Sequence, residues 1–186
     1  MAGFVIDWTR QYGPGKEGQQ QVVVLPGSTG EVQAVIKYCN EHSLSVIPQG
    51  GNTGLVGGAA GVHGGGEGGG RGEVILSLSR MNRVLSVDAE AAVLVCEAGC
   101  VLQQLNAALE RLDLAMPVDL GSKGQCQIGG NIATNAGGLH VLRNGPLSAH
   151  LLGLEVVTGD GQLLDMLRRH RKDNMGLHTP LMFVGR

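Results

Sequence analysis

A glycine-rich stretch follows a short apolar run in this chain and reads Pro48-Gln49-Gly50-Gly51-Asn52-Thr53-Gly54-Leu55-Val56-Gly57-Gly58. The apolar run, residues 44–47, predicts a strand, so the glycines fall at its carboxyl end. Because glycine has no Cβ and adopts positive φ easily, its backbone N–H groups can surround a phosphate or a diphosphate. The side chains of Asn52 and Thr53 add short hydrogen-bonding groups. The stretch predicts an anion-binding loop for a nucleotide-type cofactor, and a flexible surface loop is the alternative.

Two common nucleotide-binding motifs do not explain this loop. The chain contains no G-x-x-x-x-G-K-[ST] segment, which argues against a P-loop nucleotidase. A G-x-G-x-x-G pattern does occur at Gly64, Gly66 and Gly69, but it lies inside a tract of glycines that matches by chance, and no helical pattern follows it. We therefore assign residues 61–72 to a low-complexity loop.

The hydrophobic pattern predicts an α+β fold with mixed sheets. A strand over 22–25, a helix capped by Ser28 and Glu31, and the strand over 44–47 form a β–α–β unit. Residues 1–20 show no regular pattern, and we expect an irregular segment in which Trp8 docks onto the fold.

Later segments add further strands and one more helix. Three short runs rich in apolar and β-branched residues, 74–78, 83–87 and 92–96, predict antiparallel neighbours. Residues 101–112 carry apolar side chains at helical spacing. Two apolar runs flank Gly159-Asp160-Gly161 and predict a β-hairpin with a three-residue loop.

Composition narrows the possible partners. The 186 residues carry a formal net charge of −2, which gives no reason to expect nucleic acid. The basic cluster at 168–172 is explained by a solvated loop. No apolar run approaches the roughly 20 residues that cross a bilayer, and the start of the chain lacks a visible targeting peptide. The four cysteines have no C-x-x-C or metal-ligand spacing, so we expect buried free thiols.

A second informative region extends from Met116 to Gly138. Its first part, up to Gln127, has no usable period and predicts a loop. Its second part, Ile128-Gly129-Gly130-Asn131-Ile132-Ala133-Thr134-Asn135-Ala136-Gly137-Gly138, is small and polar. Such a composition lets backbone pack closely against a flat ligand. A tight crossing of two main chains would use the same residues and is the alternative.

The order and spacing of these segments resemble the FAD-linked oxidase family that has a vanillyl-alcohol-oxidase (PCMH) type of FAD domain. Besides the two regions above, several shorter segments fit the resemblance. They are Arg80-Met81-Asn82-Arg83, Ala98-Gly99-Cys100, Gly153-Leu154-Glu155-Val156-Val157 and Arg171-Lys172-Asp173-Asn174. The resemblance implies that residues 21–186 are an incomplete PCMH-type FAD-binding domain with two small α/β subdomains, truncated before its C-terminal end. It also implies that a substrate and metal domain would follow.

The resemblance assigns cofactor contacts by position. Residues 48–54 match the diphosphate loop, 119–127 the strip along the ribityl chain and isoalloxazine, and 134–137 a third contact strip. The expected FAD-binding residues are Pro48, Gln49, Gly50, Gly51, Asn52, Thr53, Gly54, Leu55, Val56, Gly57, Pro117, Asp119, Leu120, Gly121, Gly124, Ile128, Gly129, Gly130, Asn131, Thr134, Asn135, Ala136, Gly137 and Gly138. Several relatives attach FAD through a histidine, but Asn52 stands at that place and has no nucleophile. We therefore expect FAD to be held non-covalently.

The function implied by the resemblance is oxidation of a D-2-hydroxy acid, with D-2-hydroxyglutarate favoured and 2-oxoglutarate as the product. A D-lactate or glycolate type of dehydrogenase, or an inactive flavin-binding fragment, stays open. The family's base, carboxylate-binding residues and divalent metal such as zinc are expected only in the missing C-terminal half, so no catalytic residue is placed here and the 186 residues alone are expected to be inactive. The resemblance further implies an electron-transfer protein as acceptor and a mitochondrial location.

The chain departs from the family pattern in three places. Arg143-Asn144-Gly145-Pro146-Leu147-Ser148-Ala149 lacks an aromatic residue and a glycine that the family carries there. Residues 177–180 are more polar than the family equivalent, and Pro180 would disturb a helix interior. The glycine tract at 61–72 enlarges a loop that is usually compact.

Overall fold

A computed structural model describes residues 2–13, 21–61, 72–169 and 176–185. Of the predicted loop at 61–72, only its two end residues are therefore described. The segment 171–174 lies entirely outside the described residues. The described part contains five α-helices: α1 Ala2–Val5, α2 Thr29–Glu41, α3 Leu102–Glu110, α4 Ile128–Ala133 and α5 Val141–Asn144. It contains seven strands: β1 Gln21–Val24, β2 Ser45–Gln49, β3 Glu73–Ser77, β4 Val84–Asp88, β5 Val93–Cys96, β6 Leu154–Val157 and β7 Leu163–Met166. Two short 3-10 helices cover Leu147–His150 and Thr179–Phe183.

The chain divides into two compact units. The first unit comprises residues 1–81 and 157–162, and the second comprises 82–156 and 163–186. This division agrees with the expected mixed α/β fold with two small subdomains.

The first unit is built on a three-stranded parallel sheet in the order β1-β3-β2. Val74 of β3 pairs with Val22 of β1 on one side and with Val46 of β2 on the other. The prediction that β3 belongs to an antiparallel group was wrong. Its four consecutive buried residues explain the difference, because a central parallel strand is covered on both faces.

Helix α2 begins as the sequence predicts, with one change in its cap. The Ser28 hydroxyl accepts a hydrogen bond from the Glu31 amide at 3.3 Å. The Glu31 carboxylate reaches one residue further back than a capping box requires and accepts from the Gly27 amide at 2.7 Å. The bond from the Glu31 amide satisfies a backbone donor that the start of a helix leaves without a partner, and the bond from Gly27 ties the residue before the cap to the first turn.

Residues 3–12, which we call the N-terminal strap, are more ordered than the sequence indicates. One helical turn, α1, opens the segment. The Asp7 carboxylate then accepts hydrogen bonds from the amides of Thr9 and Tyr12, both at 2.9 Å, and from the Thr9 hydroxyl. The Asp7 amide donates to the Tyr12 carbonyl at 2.9 Å. Trp8 does not dock as expected, because its side chain is 62% exposed.

The second unit contains the antiparallel pair β4-β5 and a core under α3 and α4. The buried members of this core are Cys100, Leu102, Leu105, Val118, Cys126, Ile128 and Leu147. All four cysteines are free thiols, as expected, but only three are buried and Cys96 is half-buried. Its partial burial, and to a smaller extent the neighbouring Cys100, raise the pKa of Cys96 to about 12. The hairpin β6-β7 has the predicted three-residue loop, since Thr158 and Gln162 close it and Gly161 takes a φ of 78°.

An ion pair joins the open ends of β4 and β5. The Glu97 carboxylate accepts from the Arg83 side chain at 2.7 and 3.1 Å and from the Arg83 amide at 2.7 Å. The hydrogen bond from Arg83 lowers the pKa of Glu97 and outweighs the burial that raises it. Because the unfolded chain holds this proton more tightly, the contribution of Glu97 to stability is present above its ordinary pKa of 4.5 and is lost as pH falls through the lower folded value.

We expect Glu97→Gln to remove the part of the pH dependence of the unfolding free energy that comes from Glu97. Wild-type and variant unfolding free energies should converge as pH falls below 4.5, and the gap should open above it. Urea unfolding at a series of pH values measures the difference, with Glu90→Gln in the exposed β4-β5 turn as the control. A gap that stays constant across the whole pH range would contradict the assignment.

Candidate functional site

The glycine loop leaves the carboxyl end of β2 and is clamped at its base. The strand extends through Pro48 and Gln49, two residues further than the sequence predicts. The Gln49 side chain is 1% exposed, and its Nε2 donates to the carbonyls of Phe4 and Ala59, both at 2.7 Å. One buried carboxamide thus joins the start of the loop to its end and to the N-terminal strap.

Asn52 fixes the backbone at the centre of the loop. It has a φ of 52°, in the left-handed region that asparagine tolerates better than most residues. Its Nδ2 donates to the carbonyls of Gly3 at 3.2 Å and Ile6 at 2.7 Å. Its buried Oδ1 has no hydrogen-bond partner among the described residues. The Asn52 amide group therefore binds the strap, although the sequence suggests that it serves a ligand.

The part of the loop after Asn52 presents its main chain to solvent. Within the described residues, the backbone amides of Thr53 and Gly54 have no hydrogen-bond partner. Gly54 is exposed, and no atom lies within 4 Å of where its Cβ would be. Leu55 and Val56 are 62% and 82% exposed. Open backbone donors beside an exposed glycine fit the diphosphate of FAD.

The remaining loop residues are less open. Pro48 is exposed, while Gly50 and Gly51 are half-buried. Gly57 has a φ of 74°, and a Cβ there would lie 2.6 Å from Cγ of Tyr12. The Tyr12 ring of the strap therefore lies directly against the end of the loop.

In the second unit, residues 117–124 form a turn whose carbonyls are held by other elements. The Pro117 carbonyl accepts from Nδ2 of Asn144 at 2.7 Å, and the Asp119 carbonyl accepts from the Leu139 amide at 2.8 Å. The Asp119 carboxylate pairs with Lys123 at 2.9 Å, and this hydrogen bond lowers the pKa of Asp119.

The other predicted contacts in this turn differ in exposure. Leu120 is half-buried, and Gly121 and Gly124 are exposed. A Cβ on Gly121 would meet no atom within 4 Å, whereas a Cβ on Gly124 would lie 3.1 Å from Oε1 of Gln103. Gly121 is therefore the more accessible of the two glycines.

Helix α4 carries the next group of predicted contacts. Ile128 and Asn131 are buried, and Nδ2 of Asn131 donates to Sγ of Cys126 at 3.5 Å. Gly129 packs against Ala98, whose carbonyl accepts its amide hydrogen bond at 2.8 Å. Gly130 is exposed and has open space where a Cβ would be. The helix thus places one closely packed glycine beside one accessible glycine.

The strip after α4 is held in the second unit by side-chain and backbone hydrogen bonds. The Thr134 hydroxyl donates to the Gly130 carbonyl at 3.1 Å, and Oδ1 of Asn135 accepts from the Ser148 amide at 3.0 Å. The Ala136 carbonyl accepts from the Leu147 amide at 3.0 Å. A Cβ on Gly137 would lie 2.8 Å from Val141.

The glycines of the second unit separate into two groups. A Cβ on Gly129 would lie 2.8 Å from that of Ala98, and a Cβ on Gly138 would lie 2.2 Å from the carbonyl oxygen of Asp119. For these two, the close crossing of main chains is the better interpretation. A Cβ on Gly121 or Gly130 would meet no atom within 4 Å, so packing does not explain those two glycines.

Gln127 is a candidate site residue at the end of the predicted strip 119–127, although sequence reasoning did not single it out. It immediately precedes α4, is 7% exposed, and its Oε1 has no partner among the described residues. A buried polar atom without a partner is costly, so a ligand that donates to it would be favoured. Its only sequence signal is a polar residue between the apolar Cys126 and Ile128.

The histidines do not form a metal site in the described part of the chain. No group of three or more His, Cys, Asp or Glu side chains is placed to hold a metal ion within residues 2–13, 21–61, 72–169 and 176–185. His140, His150 and His178 are exposed, and His63 and His170 lie outside the described residues. In the same ranges, no helix combines the length and apolar character needed to cross a membrane.

Comparison with known families identifies the fold. The family described as FAD binding domain matches residues 20–167. The chain belongs to this family. The match confirms the resemblance to the PCMH-type flavoproteins, and it includes the glycine loop and the strip around α4.

Individual FAD binding domain relatives give the same result. The chain is 48% identical over 180 residues to a protein of Bos taurus named D-2-hydroxyglutarate dehydrogenase, mitochondrial, and the match covers 97% of this chain and 31% of the relative. It is 41% identical over 185 residues to a Schizosaccharomyces pombe mitochondrial protein provisionally named a D-lactate dehydrogenase, covering all of this chain and 33% of the relative. The chain thus spans about a third of the length of these relatives.

A solved structure shares the fold. An alkyldihydroxyacetonephosphate synthase superposes with a TM-score of 0.75 at 24% identity, covering 88% of this chain and 28% of that one. At this identity the likeness concerns the fold alone.

Proposed function

We propose that this chain binds FAD non-covalently and forms the FAD-binding part of a dehydrogenase that oxidises a D-2-hydroxy acid. The observation that carries the proposal is the match over 97% of the chain to D-2-hydroxyglutarate dehydrogenase at 48% identity. The amides of Thr53 and Gly54 support it, because they have no hydrogen-bond partner within the described residues. Gly121 and Gly130 support it, because a Cβ at either position would meet no atom within 4 Å.

In this proposal the two units have different tasks. The amides of Thr53 and Gly54 would donate to the diphosphate oxygens, while the Asn52 side chain stays bonded to the strap and shapes the loop. The backbone at Gly121 and Gly130 would leave room for the flat ring, and Oε1 of Gln127 would accept a hydrogen bond from it. When bound, FAD supplies the acceptor for the hydride from C2 of the hydroxy acid.

D-2-hydroxyglutarate is the proposed substrate, with 2-oxoglutarate as the product. D-lactate is the second candidate, because the Schizosaccharomyces pombe relative is 41% identical over the same region. A mitochondrial location and an electron-transfer protein as acceptor belong to the same proposal. So does a divalent metal, such as zinc, held by residues that are not in this chain.

Substrate choice is tested with the naturally expressed protein, captured by an antibody against this chain. Dye reduction is compared for D-2-hydroxyglutarate, L-2-hydroxyglutarate, D-lactate and glycolate. The proposal predicts the highest kcat/KM for D-2-hydroxyglutarate. A preference for D-lactate would support the second candidate, and no reduction by any of these acids would reject both.

Cofactor binding is tested with two glycine variants of the 186-residue chain. We expect Gly54→Ala and Gly130→Ala each to raise the Kd for FAD about tenfold, a loss of about 1.4 kcal/mol, because a methyl group blocks the approach of the ligand. Neither substitution should reduce stability, since no protein atom lies within 4 Å of either new Cβ. Isothermal titration calorimetry with FAD measures the affinity.

Titration with ADP separates the proposed contact at Gly54 from the proposed contact at Gly130. ADP carries the diphosphate without the flavin ring, so Gly54→Ala should weaken both ligands and Gly130→Ala should weaken FAD alone. Gly159→Ala is the matched control, because Gly159 is exposed, has open space at its Cβ and lies in the β6-β7 hairpin loop. If the wild-type chain binds both ligands and neither Gly54→Ala nor Gly130→Ala changes either affinity, this placement of the cofactor is rejected.

A further inference from the structure

The strap contacts the glycine loop at both of its ends. At the first end, the Phe4 carbonyl accepts from Gln49, and at the centre of the loop the carbonyls of Gly3 and Ile6 accept from Asn52. At the second end, the Tyr12 ring lies against Gly57, where a Cβ would come within 2.6 Å of the ring. The loop that carries the open amides is therefore held between two contacts made by one short segment.

A single side chain sets the distance between these two contacts. Asp7 lies between Ile6 and Tyr12 and is 4% exposed. Its Oδ1 accepts from the Tyr12 amide at 2.9 Å, and its Oδ2 accepts from the Thr9 amide at 2.9 Å and from the Thr9 hydroxyl. The turn that results includes Arg10 at a φ of 59°, a conformation that needs support from its surroundings.

The central residue of the loop is also strained. Asn52 holds a φ of 52° while its Nδ2 binds two strap carbonyls. Without these carbonyls the side chain would lose its partners, and the loop would be free to leave the left-handed conformation. Such a conformation persists only where surrounding contacts determine it.

We propose that the N-terminal strap holds the glycine loop in its ligand-binding conformation, with Asp7 as the positioning residue. This inference rests on the proposed function, because it assigns the diphosphate to the glycine loop. Asp7 itself does not touch the ligand; it acts through Ile6, Tyr12 and Asn52. If the loop binds ligand only while the strap contacts it, the apparent Kd is inversely proportional to the fraction of molecules in which the strap is in place.

The test compares Asp7→Asn with wild type in binding of FAD and ADP. Asparagine replaces one of the two carboxylate oxygens by an NH2 group, which would face the amide N–H of Thr9 or Tyr12. Two donors cannot form a hydrogen bond, so the turn opens. We expect the Kd for FAD and the Kd for ADP to rise by the same factor, about tenfold if one loop in ten remains competent. Asp88→Asn is the control, because the Asp88 carboxylate accepts from the Ala91 amide at 2.9 Å in a turn of the second unit. It should change neither Kd.

Two readouts follow the strap without any ligand. Trp8 is the single tryptophan of the chain and is 62% exposed, so its fluorescence anisotropy reports on strap motion. The anisotropy should fall in Asp7→Asn, and hydrogen exchange at residues 50–58 should become faster while exchange in the second unit stays unchanged. A separate test uses ADP as ligand: a peptide of residues 1–13 added to a variant lacking residues 2–12 should restore ADP binding.

The outcomes separate this inference from the proposed function. If wild type binds FAD and Asp7→Asn binds it equally well, the strap inference is wrong and the proposed function stands. If wild type binds neither FAD nor ADP, the proposed function is wrong. In that case hydrogen exchange at residues 50–58 still tests the strap. Unchanged exchange in Asp7→Asn would show that the strap does not hold the loop, whereas faster exchange would support that part of the inference.

Discussion

Gly138→Ala is expected to lower the free energy of unfolding by about 2–5 kcal/mol, the sum of left-handed backbone strain and overpacking. Gly138 has a φ of 71°, and a Cβ there would lie 2.2 Å from the carbonyl oxygen of Asp119. That oxygen also accepts the Leu139 amide, so the backbone cannot move away without losing a hydrogen bond. Urea unfolding followed by far-ultraviolet circular dichroism measures the change.

Gly130→Ala is the matched control for this substitution. It lies in helix α4, where alanine is favoured over glycine by roughly 0.5–1 kcal/mol, and its Cβ would meet no atom within 4 Å. We therefore expect Gly130→Ala to be neutral or slightly stabilising. If Gly138→Ala unfolds at the same urea concentration as wild type, the close approach of the two main chains is not a feature of the folded protein.

Gln49→Leu is expected to cost about 2–4 kcal/mol, because two half-buried carbonyls lose their hydrogen-bond partner while the side-chain volume is kept. The same change removes the hydrogen bonds by which the end of β2 holds the strap and the end of the glycine loop. We therefore expect the Kd for FAD to rise about tenfold or more as the competent fraction of loops falls. Thermal unfolding and calorimetric titration with FAD give the two quantities.

Gln104→Leu controls for the change in side-chain chemistry, because Gln104 is exposed on α3. It should leave FAD affinity at the wild-type value. A Gln49→Leu protein that is destabilised but binds FAD with wild-type affinity would show that the clamp serves the fold and not the loop conformation.

Features set by local chemistry were predictable from the sequence. The Ser28 cap, the strand leading into the glycine loop and the three-residue hairpin loop at 159–161 each depend on residues close together in the chain. The place of β3 was not predictable in this way. Its apolar run is compatible with either kind of sheet, and its partners β1 and β2 lie far away in sequence.

The candidate site shows the same limit. Composition marks its glycines, but distant residues decide which of them are packed and which are open: Ala98 for Gly129, and Asp119 for Gly138. The strap carries a weak local signal, an aspartate two residues before a threonine, which is typical of a side-chain-closed turn. Its contact with Asn52 spans more than 40 residues and has no local signature.

The β6-β7 turn has a consequence for the order in which the protein is assembled. Residues 157–162 belong to the first unit, where the Gly161 carbonyl accepts from Nε2 of Gln33 at 3.0 Å, 128 residues earlier in the chain. During synthesis on the ribosome, residues 82–156 therefore emerge before the last piece of the first unit exists. Early nascent chains would lack the contacts that Gly161 makes with Gln33 and Lys37 of α2. Protease protection of α2 should appear only once residue 162 has left the exit tunnel.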